Sequence, residues 1–183
     1  WEFIPSWTLD TGVRYDKHST AGSKTTWSAG LNKKFDENSH AYFNWGQVFK
    51  APTLDDLYYN AYGMYGNPNL KAEKGDTWTI GYGTKIAEKT SLNVNYFQSK
   101  LEDAIKWVDI GNYESEVRNI AHQKKNGIEI SVNHELNDNW DLEASYTHVR
   151  VRNDNNDGNG YVRDTSYLPN MYRFGVRYHD ELW

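Results

Sequence analysis

The sequence predicts an all-β chain, an antiparallel transmembrane β-barrel of about eight meander strands, and three observations lead there. Apolar residues recur with a period of two, loop lengths alternate between short and long, and large rings abound in a chain that is otherwise hydrophilic. Of 183 residues 15 % are aromatic (8 Trp, 14 Tyr, 6 Phe), yet the hydrophobic share is only 38 %. Mean hydropathy is -0.89. A soluble globule of this length would bury more aliphatic side chains. A membrane barrel needs only alternate residues apolar, because its other face looks into a wet or plugged lumen.

The strands follow in order. Between Ser6 and Asp16, Trp7, Leu9, Val13 and Tyr15 share one face. Trp27, Ala29, Leu31 and Phe35 form the next apolar row, broken at Asp36-Glu37-Asn38-Ser39. Ala41, Phe43, Trp45 and Phe49 follow, then Trp78, Ile80, Tyr82 and Ile86, then Leu92, Val94 and Tyr96. Three further stretches are Ile128-x-Ile130-x-Val132, the alternate residues Trp140 to Tyr146, and the alternate residues Tyr172 to Tyr178. The intervening positions are polar or charged, as in Glu129, Ser131, Asn133 and Glu135. Trp7, Leu9, Val13, Leu31, Phe43, Ile80, Val94, Ile130, Leu142 and Phe174 are therefore expected to face lipid, with their sequence neighbours turned to the lumen.

Links around Asp36–Ser39, Ala87–Thr90 and Asn137–Asn139 are short, whereas Lys17–Lys24, Thr53–Gly75, Gly111–Glu116 and Asn155–Pro169 read as longer loops. An up-and-down barrel has this asymmetry, while Greek-key crossings would scramble it. Asp180 and Glu181 interrupt the alternation before Trp183, so Trp183 is not read as a terminal strand aromatic.

Other classes find little support. No apolar run approaches the roughly 18 residues of a spanning helix. There are no cysteines, and 25 acidic against 20 basic residues give a net charge of -5, which argues against a nucleic-acid partner. His18, His40, His122, His134, His148 and His179 lack zinc-hydrolase spacing, and no nucleophile or phosphate-loop motif occurs, so the chain is not read as an enzyme.

One segment carries a resemblance. Phe49-Lys50-Ala51-Pro52-Thr53-Leu54 leaves the third strand, and Gly66-Asn67-Pro68-Asn69-Leu70-Lys71-Ala72-Glu73-Lys74 leads into the next. Pro52 suits a strand end, Asn67-Pro68-Asn69 is turn chemistry, and Gly66 can take positive φ. Together the halves resemble the paired motif of the TonB-dependent receptors. Downstream, Asn119-Ile120-Ala121 with Lys125-Asn126-Gly127-Ile128-Glu129, the strand from Trp140 to His148, and Leu168-Pro169-Asn170 resemble later signatures of that family, so the likeness runs from Phe49 to Tyr178. The motif is read chiefly as a fold marker.

The resemblance implies an outer-membrane importer of a scarce metal chelate. Residues 1–183 would be an arc of a plugged barrel of about 22 strands. The N-terminal plug, which contacts the TonB complex, and the last strands are expected to lie outside this sequence. Haem receptors of the family place a histidine between the motif halves. Here Thr53–Gly66 holds none, but offers Tyr58, Tyr59, Tyr62, Met64 and Tyr65, with Asn67 just beyond. Rings and amides of this kind suit a ferric siderophore, bound by stacking and hydrogen bonds. Haem or cobalamin is the alternative ligand, and a small closed barrel with an adhesin or structural role is the alternative architecture. Asn153, Asn155, Asp157, Gly158 and Asp164 also fall at positions of a calcium loop, with Asn and Asp replacing the usual anchors, which gives an expectation of Ca²⁺ there.

Overall fold

The computed structural model describes residues 2–19, 22–155 and 157–179, so the Trp183 reading lies outside the described residues. In chain order the elements are β1 (Glu2–Ile4), β2 (Trp7–His18), β3 (Gly22–Lys34), β4 (Ser39–Lys50), α1 (Leu54–Tyr58), β5 (Asn60–Ala61), β6 (Met64–Tyr65), β7 (Glu73–Ala87), β8 (Thr90–Gly111), β9 (Glu114–Asn137), β10 (Trp140–Asp154), β11 (Val162–Arg163) and β12 (Asn170–Tyr178). The strands join one 12-stranded sheet. Its eight long members, β2, β3, β4, β7, β8, β9, β10 and β12, pair antiparallel with their neighbours in the chain. The four short ones decorate the rims.

Register tests the expected faces directly, because cross-strand partners point to the same side of a sheet. Leu9 pairs with Leu31, Leu31 with Phe43, and Phe43 with Ile80. Further along, Val94 pairs with Ile130, Ile130 with Tyr146, and Tyr146 with Tyr172. The ten residues expected on the apolar face do share one face, and much of that face is exposed, Phe174 at 81 % and Val13 at 63 %. The opposite face is polar and concave. Its row Lys85, Ser91, Asn133, Glu143, Gly175 lines a cavity of about 290 Å³. Glycine serves that inner face where a ring must lie flat: a Cβ on Gly81 would sit 2.3 Å from the Tyr42 ring.

Three links behave as read, being tight turns after Lys34, Ala87 and Asn137. Rings flank them, with Trp140 and Tyr178 4.9 Å apart and Phe35 6.3 Å from Tyr82. Two expected long loops do not exist as such. β2 and β3 continue into Lys17–Lys24, and β8 and β9 continue through Gly111–Glu116 to a two-residue turn. Asn112 and Tyr113 both take positive φ, 54° and 62°, the geometry of a type I′ hairpin. In the outer β8–β9 portion covered apolar residues fall on neighbouring positions, as at Ala104 and Ile105, so the apolar/polar contrast fades while the ladder persists.

Candidate functional site

The two halves of the Phe49–Lys74 motif meet at the rim opposite the tight turns. Lys50 and Glu73 are direct partners on β4 and β7, and the Lys50 Nζ donates to Glu73 Oε1 at 2.8 Å. The Glu73 side chain is almost covered, so this ion pair closes the base of the intervening loop. Above it Thr53 caps a short helix, α1, where the sequence predicts loop. Its Oγ1 accepts from the Asp56 backbone N–H at 3.1 Å, and Asp56 Oδ2 accepts from the Thr53 N–H at 2.9 Å, a reciprocal capping box.

Gly66 acts by close approach and not by positive φ, a correction to the sequence reading. A Cβ there would lie 2.7 Å from the Tyr58 nitrogen and 2.8 Å from the Leu57 carbonyl carbon. The backbone of Gly66 donates to Tyr59 O and that of Asn67 to Asp56 O. Asn67 itself turns inward, its Oδ1 accepting from the Asn69 N–H. Leu57 and Leu70, one from each side of the loop, pack with Val117 of β9, and Ile105 of β8 closes the cluster. Asn119 fastens the same face: it accepts from the Lys71 N–H and donates to the carbonyls of Lys71 and Asp103.

On this base the candidate side chains divide. Tyr58 and Tyr62 are exposed, Tyr62 at 94 %, at the tip where Tyr62 and Gly63 turn β5 into β6 with positive φ. Tyr59 stands edge-on to Trp107, and Met64 is partly covered where β6 runs beside β9. Tyr65 donates its hydroxyl to Glu114 at 3.0 Å. That hydrogen bond raises the phenol above its ordinary value, so Tyr65 is held as a neutral donor. Sequence reading missed Trp107 and Tyr113, which the β8–β9 hairpin lifts to the same rim, and the available signal was a ring beside Gly111-Asn112.

The residues of the calcium-loop expectation have other partners here. Asp164 Oδ2 accepts from Asn153 Nδ2 at 2.8 Å and from the Lys106 ammonium, while Asp164 Oδ1 accepts from Ser166. Burial opposes ionisation of Asp164, but the Lys106 ammonium, Ser166 and Asn153 outweigh it and hold the carboxyl well below the usual range. Asp157 accepts from the Asn159 N–H, and Asn155 is exposed. Among the described residues no group of three or more His, Cys, Asp or Glu is placed to hold a metal ion.

A one-sided apolar, antiparallel meander with tight turns at one rim and a pinned, ring-bearing module at the other defines the wall of a large β-barrel receptor. The chain belongs to the TonB dependent receptor-like, beta-barrel family, which matches residues 1–183. It is 31 % identical over 124 residues to the vitamin B12 transporter BtuB of Vibrio vulnificus (strain YJ016), a match covering 67 % of this chain and 20 % of that protein. The chain thus spans about a fifth of that relative's length. Among solved structures, the siderophore receptor PirA from Pseudomonas aeruginosa superposes with a TM-score of 0.69 at 19 % identity, covering 96 % of this chain and 37 % of the receptor. The copper transporter OprC gives 0.71 at 15 % identity, covering 98 % and 32 %. The FrpB iron transporter from Neisseria meningitidis gives 0.65 at 17 %, covering 98 % and 29 %. At these identities the structural likeness concerns the fold.

Proposed function

We propose that residues 1–183 are an arc of a Gram-negative outer-membrane importer that captures a ferric siderophore. In this reading the apolar face meets lipid, and the polar concave face lines a barrel of about 22 strands. Other parts of the receptor supply the plug that engages TonB. The carrying observation is the motif-anchored rim module, which displays Tyr58 and Tyr62 and has no histidine between Thr53 and Gly66. Phenol rings offer a rigid apolar face with a polar tip, suited to a bulky chelate. The name of the PirA neighbour is consistent with that chemistry. Cobalamin is the second reading, favoured by the identity with the vitamin B12 transporter.

The test uses the full-length receptor. Tyr58→Ala/Tyr62→Ala should weaken ligand capture and leave barrel assembly intact, since both rings are exposed and neither hydroxyl is hydrogen-bonded among the described residues. Adding Tyr65→Ala separates capture from the Tyr65–Glu114 support. Growth on ferric siderophores should fall with the double change. Uptake of haem or cobalamin that depends on these rings, with indifference to siderophores, would overturn the ligand class.

A further inference from the structure

Four strands bring cations into one row that no stretch of sequence contains. Lys100 of β8 pairs with Lys124 of β9, Lys124 with Arg152 of β10, and Arg152 with Arg163 of β11. Arg150, two residues before Arg152, stands in the adjacent row on the same side. Like charges directly opposite one another are unfavourable in a sheet, so the row calls for a counter-charge. The protein supplies it only in the flanking rows and at the row's end, where Asp154 and Glu102 stand beside His122 and Asp76 beside Lys100. Among the described residues none of these five side chains forms an ion pair with a carboxylate. Asp76 lies opposite Lys100 at the end of the row without pairing to it, and Glu102 in the next row is taken by Lys74. Lys124 rests on the Tyr161 ring at 3.9 Å, and the Arg152 Nε is buried with no hydrogen-bond partner.

The row faces outward. Pairing runs without a shift from Val94 to Lys100 and from Ile130 to Lys124, so these cations share the face of the apolar belt and not that of the concave cavity. Their height is informative. Lys100 is ten residues beyond Thr90 at the tight-turn rim, which is ~34 Å of strand and ~26 Å along an axis tilted about 40°. That is about the height of a barrel's apolar band. Trp45 and Trp78, paired with each other, stand in the row just below, at the level of Gln98.

We propose that this row binds the phosphate groups of anionic lipid headgroups in the leaflet that meets the long-loop rim. The inference rests on the membrane reading above. Several guanidinium and ammonium groups on one face of the sheet match a multiply charged headgroup, with the acyl chains lying against the belt below.

The experiment takes the full-length receptor, wild type and Lys100→Gln/Lys124→Gln/Arg152→Gln/Arg163→Gln, from nanodiscs of phosphatidylcholine doped with phosphatidylglycerol into a neutral detergent. Native mass spectrometry then counts retained phosphatidylglycerol. The wild type should retain at least about tenfold more than the variant, and Lys100→Arg/Lys124→Arg should behave as wild type. Arg173→Gln/Arg177→Gln, on the concave face, should change nothing. Equal retention in the quadruple variant overturns the proposal, as does binding of inorganic phosphate without retention of lipid. Should the quadruple variant fail to assemble, Arg152→Gln/Arg163→Gln alone carries the same comparison. Brominated phosphatidylcholine tests the underlying reading separately. Quenching that Trp27→Phe diminishes places the belt in lipid, and its absence sinks the membrane reading itself.

Discussion

Leu57 is where the rim module can be opened without touching the wall. It is 3 % exposed, and its partners Leu70 and Val117 are 9 % and 0 % exposed. Leu57→Ala removes about three methylene equivalents at ~0.8 kcal/mol each, and the residual cavity brings the cost to about 3 kcal/mol. Three such side chains supply only about 5–8 kcal/mol gross, against which the ordering of the loop must be set. A loss of about 3 kcal/mol therefore favours local opening by roughly 100-fold. Hydrogen exchange in the full-length receptor reads this directly. The amides of Leu57, Tyr59, Gly66 and Asn67, bonded to Thr53, Asp55, Tyr59 and Asp56, should exchange about 100-fold faster. Ladder amides of β3 and β4 should not change. Unaltered exchange at residues 57–67, or acceleration throughout the sheet, would refute the idea that this cluster is a separate cooperative unit.

Two further outcomes follow from the ion pairs. Lys50→Met should destabilise more than Glu73→Gln, because it leaves a covered carboxylate unpaired. The double variant should recover part of the loss, giving a coupling of about 1 kcal/mol after allowance for the half-exposed lysine, read from the heat-modified midpoint on gels. Asp164 is held below its unfolded value of about 3.9, so the Lys106 clasp contributes fully above about pH 4. It is lost as pH falls through the depressed folded value. Limited proteolysis between Asn155 and Pro169 should be flat from neutral pH down to about pH 4 and accelerate below it, with Asp164→Asn removing the dependence.

How much was legible depended on contrast between the two faces. Leu9, Leu31, Phe43 and Ile80 announce one apolar row because their sequence neighbours are polar, and the register joins them as expected. Past Lys100 the rim loops cover parts of β8, with Ala104 buried and Ile105 packed on the Leu57 cluster, so no simple period survives although the strand runs to Gly111. The motif was readable as a string, but its mechanics were not. Leu57 and Val117 are remote in sequence, and a five-residue helix leaves too short a pattern to detect. Lys106 and Asp164 are separated by 58 positions, so no local rule connects them. The cation row was hidden for the same reason, because its members come from four strands.

The anchors and the exposed rings divide the labour in a way that bears on selectivity. Lys50–Glu73 holds the base of the module, Leu57, Leu70 and Val117 hold its middle, and Asn119 clips Lys71 to the β8–β9 hairpin. None of these groups is free to meet a ligand. Tyr58, Tyr62 and Tyr113 are, and no other side chain depends on them for a hydrogen bond among the described residues. A chelate reaching this rim would therefore meet rings on backbone that is already ordered, so that less of its binding energy is lost to fixing the loop. Exchange of a ring at Tyr58 or Tyr62 would alter ligand contact while the anchors keep the register of β4 and β7. Exchange of an anchor would do the reverse, raising the ordering cost for every ligand alike. Ligand preference should thus follow the rings, and overall affinity the anchors.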